Sequence, residues 1–181
     1  MFTSKKLLHF GPLFIIIAAL LWSFDGVLRI SIYTVPAAVI VFYEHVLGAI
    51  LMLFIAPMWI KDLKKMTRKE WIAMIVVALF SGALATLLYT SALAKIQYVQ
   101  YSVVILLQQQ LQPIWAILAA VIVLKEPITR RFALWAALAL VGAYFITFKD
   151  LTVDFSTGAG TLTAALFALG AGFMWGSSTA F

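Results

Sequence analysis

The chain of 181 residues contains no cysteine, which excludes disulfides, thiolate chemistry and cysteine metal sites. Its two histidines, His9 and His45, stand far apart in sequence and make no metal-ligand spacing. Charge is scarce as well: Asp, Glu, Lys and Arg make up 11% of the residues, against 65% hydrophobic and a mean hydropathy of +1.07. Soluble domains carry roughly 25% charged residues, so most of this chain has lipid as its solvent. Also missing are a P-loop, a Rossmann glycine pattern, a zinc motif and a serine nucleophile elbow. Neither an enzyme activity nor a metal or cofactor is expected.

What is present is a series of long apolar runs. Six stretches, about 10–32, 36–60, 71–94, 98–124, 132–148 and 160–181, are each of a length suited to a hydrocarbon core of about 30 Å, which takes roughly 20 helical residues. Backbone amides in lipid must be bonded within the segment, so such runs are helices. A β-barrel needs shorter strands of alternating polarity, and nothing here alternates. The expected fold is an all-α membrane protein, a polytopic bundle of six transmembrane helices. The first run follows Lys5 and Lys6 as a signal peptide would, but it is long, lacks a small-x-small cleavage site and precedes five more spans. It reads as a retained helix.

The net charge of +6 is explained by topology rather than by a nucleic-acid partner. Of the 13 Lys and Arg, Lys5, Lys6, Lys61, Lys64, Lys65, Arg68, Lys69, Lys125, Arg130 and Arg131 fall on one side of the six-span arrangement. Arg29, Lys95 and Lys149 fall on the other. The positive-inside rule then places the N-terminus in the cytoplasm of a multi-pass protein of the cell's inner membrane. The basic loops also suit anionic lipid headgroups.

Residues 166–178, LFALGAGFMWGSS, align with residues 13–25, LFIIIAALLWSFD. Leu13, Phe14, Ala18 and Trp22 fall on Leu166, Phe167, Ala171 and Trp175, and the tryptophan with its small flanks carries the match. Counting spans, the copy enters the membrane in the opposite sense to the original, the pattern of inverted repeats in secondary transporters. The expected organisation is a five-helix repeat over 10–148, a linker at 149–159 and the first helix of a truncated second repeat at 160–181.

The order of features resembles the EamA family within the drug/metabolite transporter superfamily. The resemblance rests on the Trp-plus-small-residue element of the first span, on LQQQLQPIWAILAAVIVLKEPIT, and on RRFALWAALALVGAYFITF, with Pro113, Glu126 and Gly142 at the proline, glutamate and glycine positions of that pattern. It implies one half of a ten-helix protein of two inverted repeats that moves a small organic metabolite or drug by alternating access, with export as the expected direction. The sequence departs from the pattern in the second span, where FYEH places Glu44 and His45 at a position at which many members carry an arginine. A half-transporter active only as an oligomer, completed by the missing repeat or by a second copy of the chain, is one alternative. A non-transporting membrane scaffold is the other.

Ionised groups in a span cost roughly 2.5–3.5 kcal/mol even on lenient scales, so the few that occur are candidates for function. Asp25 and Glu44 are expected at similar depth in the outer half, with His45 beside them. Arg29 is one turn beyond Asp25 on the same face. Two readings stand. Either Asp25 and Arg29 neutralise each other and snorkel outward, with Glu44 bonded inside the bundle, or Asp25 or Glu44 carries a proton during transport. The fourth span holds Gln108, Gln109, Gln110 and Gln112. Consecutive glutamines spread over about 200° of a helix and cannot all face one cavity. Pro113 removes a donor and frees the Gln109 carbonyl. Thr86, Tyr89, Tyr43, Trp22, Trp115 and Trp175 complete the expected solute pathway, with Trp22 and Trp175 as symmetry mates.

Overall fold

The computed structural model describes residues 11–95, 101–147 and 159–180, all of them helix or short connection with no strand among them. Lys5, Lys6, His9, Tyr98, Lys149 and the linker up to residue 158 lie outside the described residues. Helix α1 (Gly11–Ser31) is followed by α2 (Ala37–Phe54) and the short α3 (Ala56–Leu63). The third predicted span is α4 (Arg68–Val77), a π-helical stretch (Ala78–Leu84) and α5 (Ala85–Leu93). The fourth is α6 (Tyr101–Ile105), a second π stretch (Leu106–Gln110), α7 (Gln112–Ala119) and a third π stretch (Ala120–Leu124). Helices α8 (Arg130–Thr147) and α9 (Ala159–Ser178) complete the chain. By length and apolarity Gly11–Ser31, Ala37–Phe54, Arg68–Leu93 and Val103–Leu124 are each able to cross a membrane, and Leu162–Ser178 is a shorter apolar helix.

Local chemistry sets the boundaries. The second predicted span ends six residues earlier than its apolar run, at Phe54, where α3 begins with Pro57 in its first turn. Proline has no N–H to give and suits that position. Helix α4 opens on a capping box: the Thr67 N–H donates to Glu70 Oε2 at 2.6 Å and the Glu70 N–H to Thr67 Oγ1 at 3.4 Å. The fourth span closes on Lys125, whose φ of 56° is left-handed, and the N–H groups of Lys125 and Glu126 both return to the Ala120 carbonyl. This closure stops the helix just before Pro127.

The core is built around α9. Ala164, Ala168 and Ala171 on its face are fully buried against Tyr89, Ala92, Leu93, Val103 and Val104. The helix packs most extensively on α5 and α7. Small residues recur every fourth position along it, Ala164, Ala168, Gly172 and Gly176, which lets a neighbouring backbone approach closely. A Cβ on Gly172 would stand 2.7 Å from the Gln108 carbonyl oxygen, and one on Gly176 would strike the Gln112 carbonyl and Trp115.

Those contacts fix directions. Gly172 meets Gln108 and Gly176 meets Gln112 to Ala116, so α9 runs parallel to the fourth span. Gly170 lies against Leu88 and Trp175 reaches Ser81, so α9 runs antiparallel to the third. In α1, Gly26 lies against Tyr101 while Trp22 sits beside Gln112 and Ala116. Helix α1 is therefore antiparallel to the fourth span and to α9. The start of α4 and the Lys125–Arg131 connection lie at one end of the bundle, where Arg68, Lys69, Arg130 and Arg131 are exposed. Lys61, Lys64 and Lys65 are exposed in the connection leading to α4.

Candidate functional site

Three helices converge on Arg29. Its side chain is only 7% exposed, and Nε donates to both Asp25 oxygens at 2.9 Å, Nη2 to Glu44 Oε2 at 2.8 Å and Nη1 to Thr90 Oγ1 at 2.7 Å. Thr90 in turn donates to the Thr86 carbonyl at 2.8 Å, and the guanidinium carbon stands 5.8 Å from the centre of the Tyr89 ring. Arg29 thus points into the bundle and does not snorkel outward. The physical reason is that a second carboxylate, Glu44 on α2, and a hydroxyl on α5 satisfy donors that Asp25 alone leaves open. The Asp25 side chain is 27% exposed and Glu44 45%. His45 turns away, its Nδ1 at 2.8 Å from the Val41 carbonyl of its own helix, and borders a separate apolar groove with Val41, Ala83 and Leu87. Tyr43 is exposed and packs edge-on against Phe42.

The second centre is the break in the fourth span. The Leu111 N–H bonds the Leu106 carbonyl five residues back, at 3.2 Å, a π-type register. Leu111 is a single turn residue that keeps right-handed backbone angles, and α7 restarts at Gln112 with Pro113 in its first turn. The glutamines divide as their angular spread requires. Gln109, Gln110, Gln112 and Pro113 line an open groove of about 530 Å³ with Trp22, while Gln108 is 1% exposed and turned into the bundle, donating to Gln112 Oε1 at 3.4 Å.

Aromatic rings form the third element. Trp115 stands edge-on to Phe173 at 5.4 Å and Trp175 to Tyr89 at 5.5 Å. The Trp175 indole N–H donates to the Ser81 carbonyl at 2.7 Å. A backbone shift prepares this acceptor: the Ala85 N–H bonds Phe80, one residue further back than the α-helical partner Ser81. Trp22 and Trp175 do not touch the same partners, yet Trp22 and Gly176 flank the same turn of the fourth span, Gln112 to Ala116.

The structure therefore brings Asp25, Glu44, Thr86 and Tyr89 together around Arg29. It gathers Trp22, Gln109, Gln112 and Pro113 along the groove, and it sets Trp115 against Phe173 of α9 and Trp175, itself on α9, against Tyr89 of α5. His45 and Tyr43 stand outside these sets. Arg29 as a three-helix hub goes beyond the Asp25 pair that its spacing announces; the similar depth of Glu44 was the available signal. Phe173, Gly172 and Gly176 had none beyond the repeat.

The helices and their apolar outer faces define a multi-pass membrane protein. The chain matches the model of the EamA-like transporter family over residues 9–148, and it belongs to that family. It is 37% identical over 173 residues to the riboflavin transporter ImpX of Fusobacterium nucleatum subsp. nucleatum, covering 94% of this chain and 58% of that protein. The chain thus spans a little over half the length of this curated relative. No solved structure gives a significant match. Family and relative point to transport of a small molecule rather than to catalysis.

Proposed function

We propose that the chain is part of a secondary transporter that carries a small, neutral, flat heteroaromatic solute of the riboflavin kind across the inner membrane by alternating access, with six spans and the N-terminus in the cytoplasm. The observation that carries this reading is the groove at the broken span, where Gln109, Gln110 and Gln112 offer amides without charge beside the exposed indole of Trp22. Amides bond the carbonyl and N–H edges of such a ring, and an indole face stacks on it. The name of the relative, a riboflavin transporter, supports the substrate class. Export is the direction we assign from the family resemblance.

The opposed directions of α1 and α9 support a five-helix repeat at 10–148, a linker at 149–159 and α9 as the opening helix of an inverted second repeat. The facing wall of the groove is then supplied by that repeat or by a second copy of the chain. Two carboxylates and one guanidinium leave Asp25, Arg29 and Glu44 with a net charge of −1, so one proton neutralises the set. Asp25 or Glu44 carries that proton, with Tyr89 and Thr90 of α5 facing it and His45 turned aside.

These 181 residues contain no cysteine, so in the full-length protein, with any cysteine elsewhere replaced, an introduced thiol reports on its own position. Single variants Gln109→Cys and Trp22→Cys are expected to react with a membrane-impermeant thiol reagent and to be protected by riboflavin, while Leu21→Cys on the outer face is not protected. A non-transporting scaffold predicts no protection at any of the three. Replacing Asp25 by Asn and Glu44 by Gln in turn is expected to abolish the response of flux to a pH gradient in one of the two; an unchanged response in both removes the coupling role.

A further inference from the structure

A buried acceptor and a buried donor are left without partners on one face of the fourth span. Gln108 Oε1 and Trp115 Nε1 are sealed from the surface, and neither has a hydrogen-bond partner among the described residues. Gln108 as a whole is 1% exposed. A buried polar atom left unmade costs about 1–3 kcal/mol, and native interiors hold few of them. Two in one seam call for an explanation.

Both residues face α9. Gln108 and Trp115 are seven residues apart, on one side of the helix with Gln112 between them; the Gln108 backbone lies against Gly172 and the Trp115 Cβ against Gly176. The other end of the Gln108 amide is used, donating to Gln112, and the Trp115 ring is held by Phe173. The two orphan atoms are thus on held side chains, one accepting and one donating, whose residues lie roughly 10 Å apart along the axis at 1.5 Å per residue. On the α9 side Gly172 and Gly176 bring no side chain, and Phe173 brings an apolar ring, so neither atom is satisfied from there.

We propose that this seam is a closed solute subsite: when α9 parts from the fourth span, Gln108 Oε1 accepts an N–H of the solute and Trp115 Nε1 donates to a carbonyl or hydroxyl oxygen further along it. The ligand class is a flat, uncharged heterocycle with an imide or amide edge and a polar group about one ring system away. This rests on the transport reading above and adds to it the residues that read the edge of the ring. The open groove beside Trp22 is then the vestibule, and the seam is where the solute is recognised.

The experiment compares riboflavin with its N3-methyl derivative, which lacks the imide N–H, by titration of flavin fluorescence against the full-length protein. The wild type is expected to prefer riboflavin by ~10-fold, the worth of one buried hydrogen bond. Gln108→Leu is expected to lose that preference while melting at the same or a higher temperature, because it removes a buried unpartnered oxygen and gives up only the 3.4 Å bond to Gln112. Trp115→Phe, which keeps the ring against Phe173, is expected to weaken both ligands equally. Gln108→Leu that retains the preference overturns the proposal, and so does a wild type that binds both flavins alike. A wild type that binds neither removes the transport reading on which the proposal stands.

Discussion

At the residue scale the arrangement turns on Arg29. A guanidinium in the bundle interior is tolerated because its donors meet Asp25, Glu44 and Thr90 on three helices. Removing it leaves two carboxylates facing one another. Arg29→Leu is expected to destabilise the protein by about 3 kcal/mol, read as a fall in apparent melting temperature in detergent. Adding Asp25→Asn and Glu44→Gln is expected to recover most of that loss; a triple variant no better than the single one contradicts the ion-pair account. Part of this hub was legible in the sequence, since Asp25 and Arg29 are one turn apart. That Thr90 completes it was not, because a threonine in an apolar run carries no mark of its partner across the bundle.

At the scale of elements the unusual feature is backbone register. Three π stretches interrupt the third and fourth spans, and two of them expose carbonyls or break a helix where α9 and the glutamines need it. Apolar periodicity does not distinguish α from π over five to seven residues, so the sequence announces only Pro113. The left-handed Lys125 was equally hidden, since glycine is the usual residue at such a turn. Lys125→Gly is expected to stabilise the protein by about 1 kcal/mol by relieving that conformation, provided the shortened side chain leaves insertion unchanged. The seam of α9 is tighter. Gly176→Leu is expected to cost about 2 kcal/mol or more through overpacking against Gln112 and Trp115, whereas Leu166→Ala on the exposed face of the same helix is expected to cost far less. Equal losses from the two indicate that α9 is not packed as described.

At the scale of the whole molecule the basic connections and the opposed helix directions agree. Arg68, Lys69, Arg130 and Arg131 occupy one end of the bundle, as the distribution of charge in the sequence predicts. Reporter fusions after residues 66 and 128 are expected to be active only as cytoplasmic markers, and one after residue 34 only as an external marker; the reverse pattern overturns the orientation. Helical character and family were legible because lipid imposes long apolar runs and the QQQLQP and KEP elements are distinctive. Which side chains meet was not, because in a bundle where nearly every position is apolar the contacting face of each helix is chosen by packing, as the Ala164, Ala168, Gly172 and Gly176 ridge shows. The most direct test of the central claim is riboflavin flux into and out of liposomes holding the full-length protein. Saturable flux is predicted in the wild type, with a loss of tenfold or more in the correctly inserted Trp22→Ala, Gln112→Ala double variant. Flux equal to that of empty liposomes, or undiminished flux in the variant, contradicts it.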